Sequence, residues 1–323
     1  MYILNIEVLK LGDIILTGND EKLSRVIKKY TKGNFSHSIF YLGGSSYIHS
    51  DKDGVHSGNT QRLVFESCDN VKVLRLKDKK SINKAIYFAR SQVGKEYSIK
   101  AAVNSKIKTN ILISKNRQFC SKLVAQAYNT AGINLVGDPN FCMPKEIEDS
   151  PLLEVVHEAT RSATKAEIEF SSTENPLNNQ VMVTNTILKY FREISGCDIQ
   201  SLNDLSNYII ENPKFDRQVS KKMKELGYFN LFDKEMIKNP WRYDYDSFIE
   251  FIHEEDKYNL ANQELKNSTE MIERFSYMLS FYVNAHKKRP LEYTELHIQL
   301  YRKLCKAMKL NQNIAKSVLA TFT

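Results

Sequence analysis

Of the five cysteines, at positions 68, 120, 142, 197 and 305, one stands where its thiol can do chemistry. Cys120 lies in Asn116-Arg117-Gln118-Phe119-Cys120-Ser121-Lys122-Leu123-Val124, where a loop turns into a helix. A thiol at a helix N-terminus meets unsatisfied N–H groups and the positive end of the helix dipole, and both favour thiolate over thiol. Arg117 and Lys122 add positive charge nearby. The plain alternative is a small buried hydrophobe, which most free cysteines are.

A nucleophilic thiol needs a base, and seven histidines are available: His37, His49, His56, His157, His253, His286 and His297. His37 sits inside a strand signal, Phe35-Ser36-His37-Ser38-Ile39-Phe40-Tyr41, and a strand fixes the direction of a side chain, as a general base requires. His49 lies in the next predicted strand. A hairpin through Gly43-Gly44 sets the two histidines opposite or diagonal in the ladder, since His37 is six residues before Gly43 and His49 five after Gly44. A second imidazole hydrogen-bonded to the first would orient it and fix its tautomer, the third role in a nucleophile–base–orienter set. A metal reading of His37, His49 and His56 lacks a carboxylate or cysteine at a supporting spacing, so no metal and no organic cofactor is expected.

The elements that must hold these residues follow from hydrophobic patterning. Short apolar runs at Asp13–Thr17, Ser38–Leu42, Ser46–His49 and Val71–Leu76 read as strands. Glu21–Tyr30, capped by Asn19 or Asp20, reads as a helix, as does Ser81–Val93 with Ser81 as cap and Gly94 as stop. A further helix is predicted from about Phe119 to Thr130. Residues 161–176, polar and holding Ser171-Ser172-Thr173 and Asn175-Pro176, read as a linker. Beyond it helical periodicity dominates: Val181–Ile194, Leu202–Ile210, Tyr245–Tyr258, Ser268–Ala285 and Leu291–Met308, with Pro213, Pro240 and Pro290 between them. The prediction is an α+β domain over 1–160, a small antiparallel sheet packed on helices, followed by an all-α domain of five to seven helices over 177–323.

At this point the residues carry a resemblance. Gly12-Asp13-Ile14-Ile15-Leu16, Ser36-His37-Ser38-Ile39-Phe40-Tyr41-Leu42-Gly43, Tyr47-Ile48-His49 with Asp53-Gly54-Val55, Gly94-Lys95-Glu96-Tyr97 and Phe119-Cys120-Ser121-Lys122-Leu123-Val124, in that order, resemble the circularly permuted papain-fold cysteine hydrolases. These are the YiiX-like branch of the NlpC cell-wall peptidase superfamily, with lecithin retinol acyltransferase as a relative. Met143-Pro144 through Ser150-Pro151-Leu152-Leu153 is similar to the family's closing segment. The likeness covers about residues 8–158, and nothing after 175 resembles a known family.

The resemblance implies Cys120 as nucleophile and His37 as general base. The third position is often Glu in the YiiX-like branch and His in the acyltransferase branch, and this chain has His49 there. The reaction implied is attack of the thiolate on a carbonyl, an acyl-enzyme, and its resolution by water or another nucleophile. The oxyanion would be met by the backbone N–H of Cys120, with Gln118 and Ser121 as further support. The expected substrate is a peptidoglycan or peptide amide. A lipid ester or acyl-transfer substrate is the second reading, and an effector or adaptor that binds a protein through its helical domain is the third.

Charge adds a direction. The chain of 323 residues has a formal net charge of +8. Residues 1–160 hold 23 Lys+Arg against 16 Asp+Glu, and the remainder 23 against 22, so the excess belongs to the expected catalytic half. That favours a substrate at an anionic surface, cell wall or phospholipid headgroups. No nucleic-acid motif is visible. No apolar run of about 18 residues exists to span a membrane, and no secretory signal opens the chain, which suggests cytoplasmic synthesis, with export as an effector as an alternative. Asn239–Tyr245, with the lone Trp241, reads as a core anchor, and His253-Glu254-Glu255-Asp256 as a solvated acidic face. Cys68, Cys142, Cys197 and Cys305 are expected to be structural.

Overall fold

The structure, a computed structural model, describes residues 1–18, 33–78, 80–98 and 117–322. The helix expected over Glu21–Tyr30 lies outside the described residues. The chain divides into two compact units, residues 1–188 with 195–203, and residues 189–194 with 204–323.

In the first unit six strands form one antiparallel sheet in the order β5-β4-β3-β2-β7-β8. These are β2 (Ile14–Thr17), β3 (His37–Tyr41), β4 (Ser46–Asp51), β5 (Gly54–Asn59), β7 (Val71–Leu76) and β8 (Leu153–Val155). A second, three-stranded sheet sets β1 (Tyr2–Leu4) between β6 (Val64–Phe65) and β9 (Thr160–Ser162). Alternation along the central strands serves two cores, because successive side chains leave opposite faces. Ile14, Leu16, Phe40, Ile48 and Leu74 pack with Ala85, Ile86 and Ala89 of α1 (Asn83–Ser91) and with Leu123, Val124, Ala127 and Tyr128 of α2 (Cys120–Thr130). Ile15, Ile39, Tyr41, Tyr47 and Val73 face the other way, onto Leu4, Leu9 and Ala159.

Two local readings change. Ser81 does not cap α1: Ile82 stands at the cap without a side-chain hydrogen bond, and its packing against the core fixes the helix start. Residues 161–176 are not bare coil. After α3 (Pro144–Glu148) and the two closing strands, α4 (Lys165–Ser172) begins in a capping box, with Thr164 accepting from the Glu167 N–H and Glu167 accepting from the Thr164 N–H. Arg62 then holds its end through the carbonyls of Phe170, Thr173 and Glu174.

From α5 (Pro176–Ser195) onward the described elements are helical: α6 (Leu202–Glu211), α7 (Asp216–Glu225), α8 (Leu231–Lys238), α9 (Tyr245–Phe251), α10 (Glu254–Lys288) and α11 (Glu292–Leu319), with short 3-10 turns between. In the second unit α10 and α11 bury Phe275, Leu304, Cys305 and Met308. Trp241 stacks edge-on against the buried Phe248, ring centroids 5.9 Å apart. The predicted helix Tyr245–Tyr258 is two, broken at Ile252-His253, and the acidic first turn of α10, Glu254, Glu255 and Asp256, complements its dipole. Among the described residues no helix is long and apolar enough to cross a membrane. Cys142 and Cys305 are buried, but Cys68 is exposed in a turn and packs no core.

Candidate active site

Phe119 is extended (φ −143°, ψ 166°), and α2 starts at Cys120 with no side-chain cap. No capping side chain therefore takes the first N–H groups of the helix, as an anion site requires. Cys120 is 5% exposed, with its sulfur 3.9 Å from the carbonyl oxygen of Ser36 and within reach of the backbone N–H of Ser38. Both contacts come from residues flanking His37. The ladder shows why: β3 pairs with β4 at Phe40↔Ile48 and Tyr41↔Tyr47, and this pairing stops short of His37. Burial raises the Cys120 thiol above its ordinary value, against the backbone N–H groups of Ser38, Ser121 and Cys120 and the Ser121 hydroxyl, which favour the anion. The helix start does not by itself yield a thiolate, because desolvation outweighs it.

The Gly43-Gly44 turn, both residues at positive φ (88° and 57°), sets His37 and His49 diagonally. His37 Nε2 and His49 Nδ1 are 2.9 Å apart, the rings edge-to-face. Burial takes His37 down to about 4, with Asp51 opposing and His56 reinforcing the shift. Burial, joined by repulsion from His37 and His56, also takes His49 well below its ordinary value. Both rings are neutral at pH 7.

Strand β5 brings what the sequence reading missed. His56 stands directly opposite His49, with Asp51 at the end of β4. His56 Nε2 lies 3.0 Å from Asp51 Oδ1, and His49 Nε2 lies 3.9 Å from Asp51 Oδ2. Burial alone would raise Asp51, but the hydrogen bond from His56 and the attraction of His49 and His56 hold it at about 2. Burial would lower His56, and Asp51 more than offsets it. The expectation that no carboxylate supports these histidines is thus corrected: Asp51, two residues after His49 on the same face, is that carboxylate. The spacing His-x-Asp followed by a glycine turn was the available signal.

The two expected support residues have these partners. Gln118 gives both amide hydrogens to other side chains, to Gln92 Oε1 at 3.1 Å and Gln126 Oε1 at 2.8 Å. Ser121 Oγ donates to the Cys142 carbonyl at 2.7 Å, tying the helix start to the following loop. Both amide hydrogens of Gln118 are thus already used, while the Ser121 hydroxyl also favours the Cys120 anion. Arg117 is paired with Glu96 (2.7 Å), and Lys122 Nζ donates to the Arg117 carbonyl; burial, with Lys95 nearby, takes Lys122 to about 8. Tyr97 is a further missed residue. It pairs in parallel with Gln118, and burial, then the charges of Cys120 and Asp51, push its phenol well above the ordinary value.

Residues 8–162 match the model of a family described as permuted papain-like amidase enzyme, YaeF/YiiX, C92 family. By this match the segment is a permuted papain-like domain, similar to that family of hydrolases. A solved structure described as the metalloprotein yiiX from Escherichia coli O157:H7 is 18% identical, with a TM-score of 0.37, over 46% of this chain and 96% of that one. No curated protein matches.

Proposed function

We propose that the chain is a cysteine amidase that opens an acyl or peptide amide through Cys120, His37 and His49. The observation that carries this is the placement of the Cys120 sulfur against the backbone on both sides of His37, whose ring is in turn hydrogen-bonded to His49. A neutral imidazole has one N–H. For His37 Nδ1 to act as base, Nε2 must carry the proton and donate it to His49 Nδ1, and the His49 proton then sits on Nε2, facing Asp51. That is the tautomer the Asp51 carboxylate favours. The thiol attacks the carbonyl carbon while its proton passes to His37, which returns it to the leaving amine. The backbone N–H of Cys120 meets the oxyanion. Water resolves the acyl-enzyme and regenerates the thiol.

The substrate class favoured is a peptidoglycan or peptide amide. A lipid-directed reading has one observation of its own, the positive excess confined to residues 1–160. Purified sacculi and anionic phospholipid vesicles, each incubated with the full chain and with Cys120→Ala, followed by product analysis by mass spectrometry, separate the two. Amide products from sacculi that vanish in Cys120→Ala support the amidase. Full activity in Cys120→Ala overturns the thiol mechanism, and deacylated lipid alone moves the substrate to the bilayer. On either surface the rate should fall with added salt.

A further inference from the structure

The cluster on β4 and β5 extends past the hydrogen bond that orients His37. His49 Nε2 is buried and has no hydrogen-bond partner among the described residues. It is directed at Asp51, whose other carboxylate oxygen meets His56. His56 Nδ1 is held at 3.2 Å by the Ser57 carbonyl, which leaves Nε2 turned to the same carboxylate. One donor atom from each of the three residues lies within 4.8 Å of the other two. Around one ion, with ligand distances of about 2.1 Å, donor atoms stand no more than about 4.2 Å apart, so a small side-chain adjustment closes the set.

We propose that His49, Asp51 and His56 form a binding site for a divalent transition-metal ion of the zinc class, and that filling it withdraws His37 from its role as base. Two imidazoles and one carboxylate suit zinc and its first-row neighbours and leave a fourth position for water. Each ring already has its remaining nitrogen held, His56 by the Ser57 carbonyl and His49 by His37, which is how ligating histidines are oriented. An ion would satisfy the orphaned His49 Nε2. Asp51 and His56, with side chains 32% and 18% exposed, provide the way in.

The second half of the proposal rests on the catalytic reading above. An ion on His49 Nε2 leaves that ring's proton on Nδ1, where it must be donated to His37 Nε2. The His37 proton then occupies Nδ1, the nitrogen that has to receive the thiol proton. The metal-free chain is the form with a working base.

The test uses the full chain. Zn2+ is titrated in competition with a chromogenic chelator against the unaltered protein, Cys120→Ala and His56→Gln, with circular dichroism confirming that each is folded. One Zn2+ per chain, unchanged in Cys120→Ala and bound at least tenfold more weakly by His56→Gln, supports the site. Absence of binding, or undiminished affinity in His56→Gln, overturns it. Co2+ bound to the unaltered protein gives a second reading that needs no variant: weak d–d bands without thiolate-to-cobalt charge transfer are expected, and a sulfur charge-transfer band places the ion on a cysteine and overturns the assignment. For the coupling, iodoacetamide labelling of the Cys120 peptide is followed by mass spectrometry with and without saturating Zn2+. Labelling should slow at least tenfold when the site is filled. An unchanged rate overturns the coupling while leaving the site, and loss of Cys120 activity for any other reason leaves the metal titration unaffected.

Discussion

His37 and His49 stand diagonally across a hairpin, and their rings meet nitrogen to nitrogen at 2.9 Å. Because each neutral ring has a single proton, this contact makes the tautomer of one depend on that of the other, and Asp51 biases the pair from its far end. In the proposed mechanism His49 is a positioning residue. Replacing it by Leu should lower kcat by about 10²–10³-fold with KM little changed, in line with what an oriented base contributes. His49→Asn, whose side-chain oxygen can accept from His37 Nε2, should recover part of that loss. Equal losses in both variants would reduce His49 to packing.

Acid should act at two levels. In the proposed mechanism His37 must be neutral to serve as base, so the rate should hold down to pH 5 and fall as pH drops through about 4, provided the fold persists. Stability declines first. His37 and, in the second unit, His297 each have a folded value of about 4 against an ordinary value of 6.5, burial being the main cause. Between those values the unfolded chain binds more protons, so the contribution of each is complete above pH 6.5 and is lost as pH falls toward 4. His297 is buried between Tyr282 and Tyr293, and its Nδ1–H donates to the Tyr293 carbonyl at 2.7 Å. In His297→Gln the denaturation midpoint should depend less steeply on pH across this window, measured by urea melts at pH 7.5, 6 and 5.

The parts of the site legible in the sequence were those with strong local signals. Gly43-Gly44 announced its hairpin because only such residues take positive φ without strain, and Cys120 announced a helix start because Phe119 precedes a run of helix formers. Strand β5 was illegible: Gly-Val-His-Ser-Gly-Asn has no apolar alternation, and it is held by its ladder to β4 and by Lys95. With that strand went Asp51 and His56 as members of the site. The engagement of Gln118 was also hidden, since its partners Gln92 and Gln126 are 26 and 8 residues away. In the helical unit the break at Ile252-His253 has no proline or glycine to mark it, so two helices read as one.

Gly54 secures that hidden strand. Its φ is 92°, and a Cβ would stand 2.6 Å from the Lys95 carbonyl oxygen, a backbone atom that itself accepts the Val55 N–H at 2.8 Å. Gly54→Ala must both adopt a disfavoured backbone and push the Lys95–Tyr97 segment away from the hairpin. A loss of more than about 1 kcal/mol is expected from the backbone alone. Because Tyr97, on that segment, bridges to Gln118 two residues before Cys120, activity should fall beyond what the stability loss explains at a temperature where the variant is fully folded. A variant as stable and active as the parent would remove the hairpin–segment contact from the account of the site.

Asp13 anchors the same sheet from beneath. It is 1% exposed and receives two hydrogen bonds from Arg75, at 2.8 and 2.6 Å, and one from the Lys10 N–H at 2.8 Å, while Arg75 also donates to the Val8 carbonyl. The pair fastens the chain entering β2 onto β7, and β2 is the strand on which β3 and His37 are laid. Removing one member of a buried pair leaves the other charge without compensation, which costs about 3–5 kcal/mol, whereas replacing both members by apolar groups costs far less. Asp13→Ala should therefore lower the unfolding free energy by about 3–4 kcal/mol, the 22% exposure of Arg75 keeping it off the top of that range. Asp13→Ala with Arg75→Met should be less damaged than Asp13→Ala alone, measured by urea denaturation at neutral pH. If the double variant were as unstable as the sum of the two single ones, the contact would carry no coupling and the anchoring of β2 would rest on its apolar core instead.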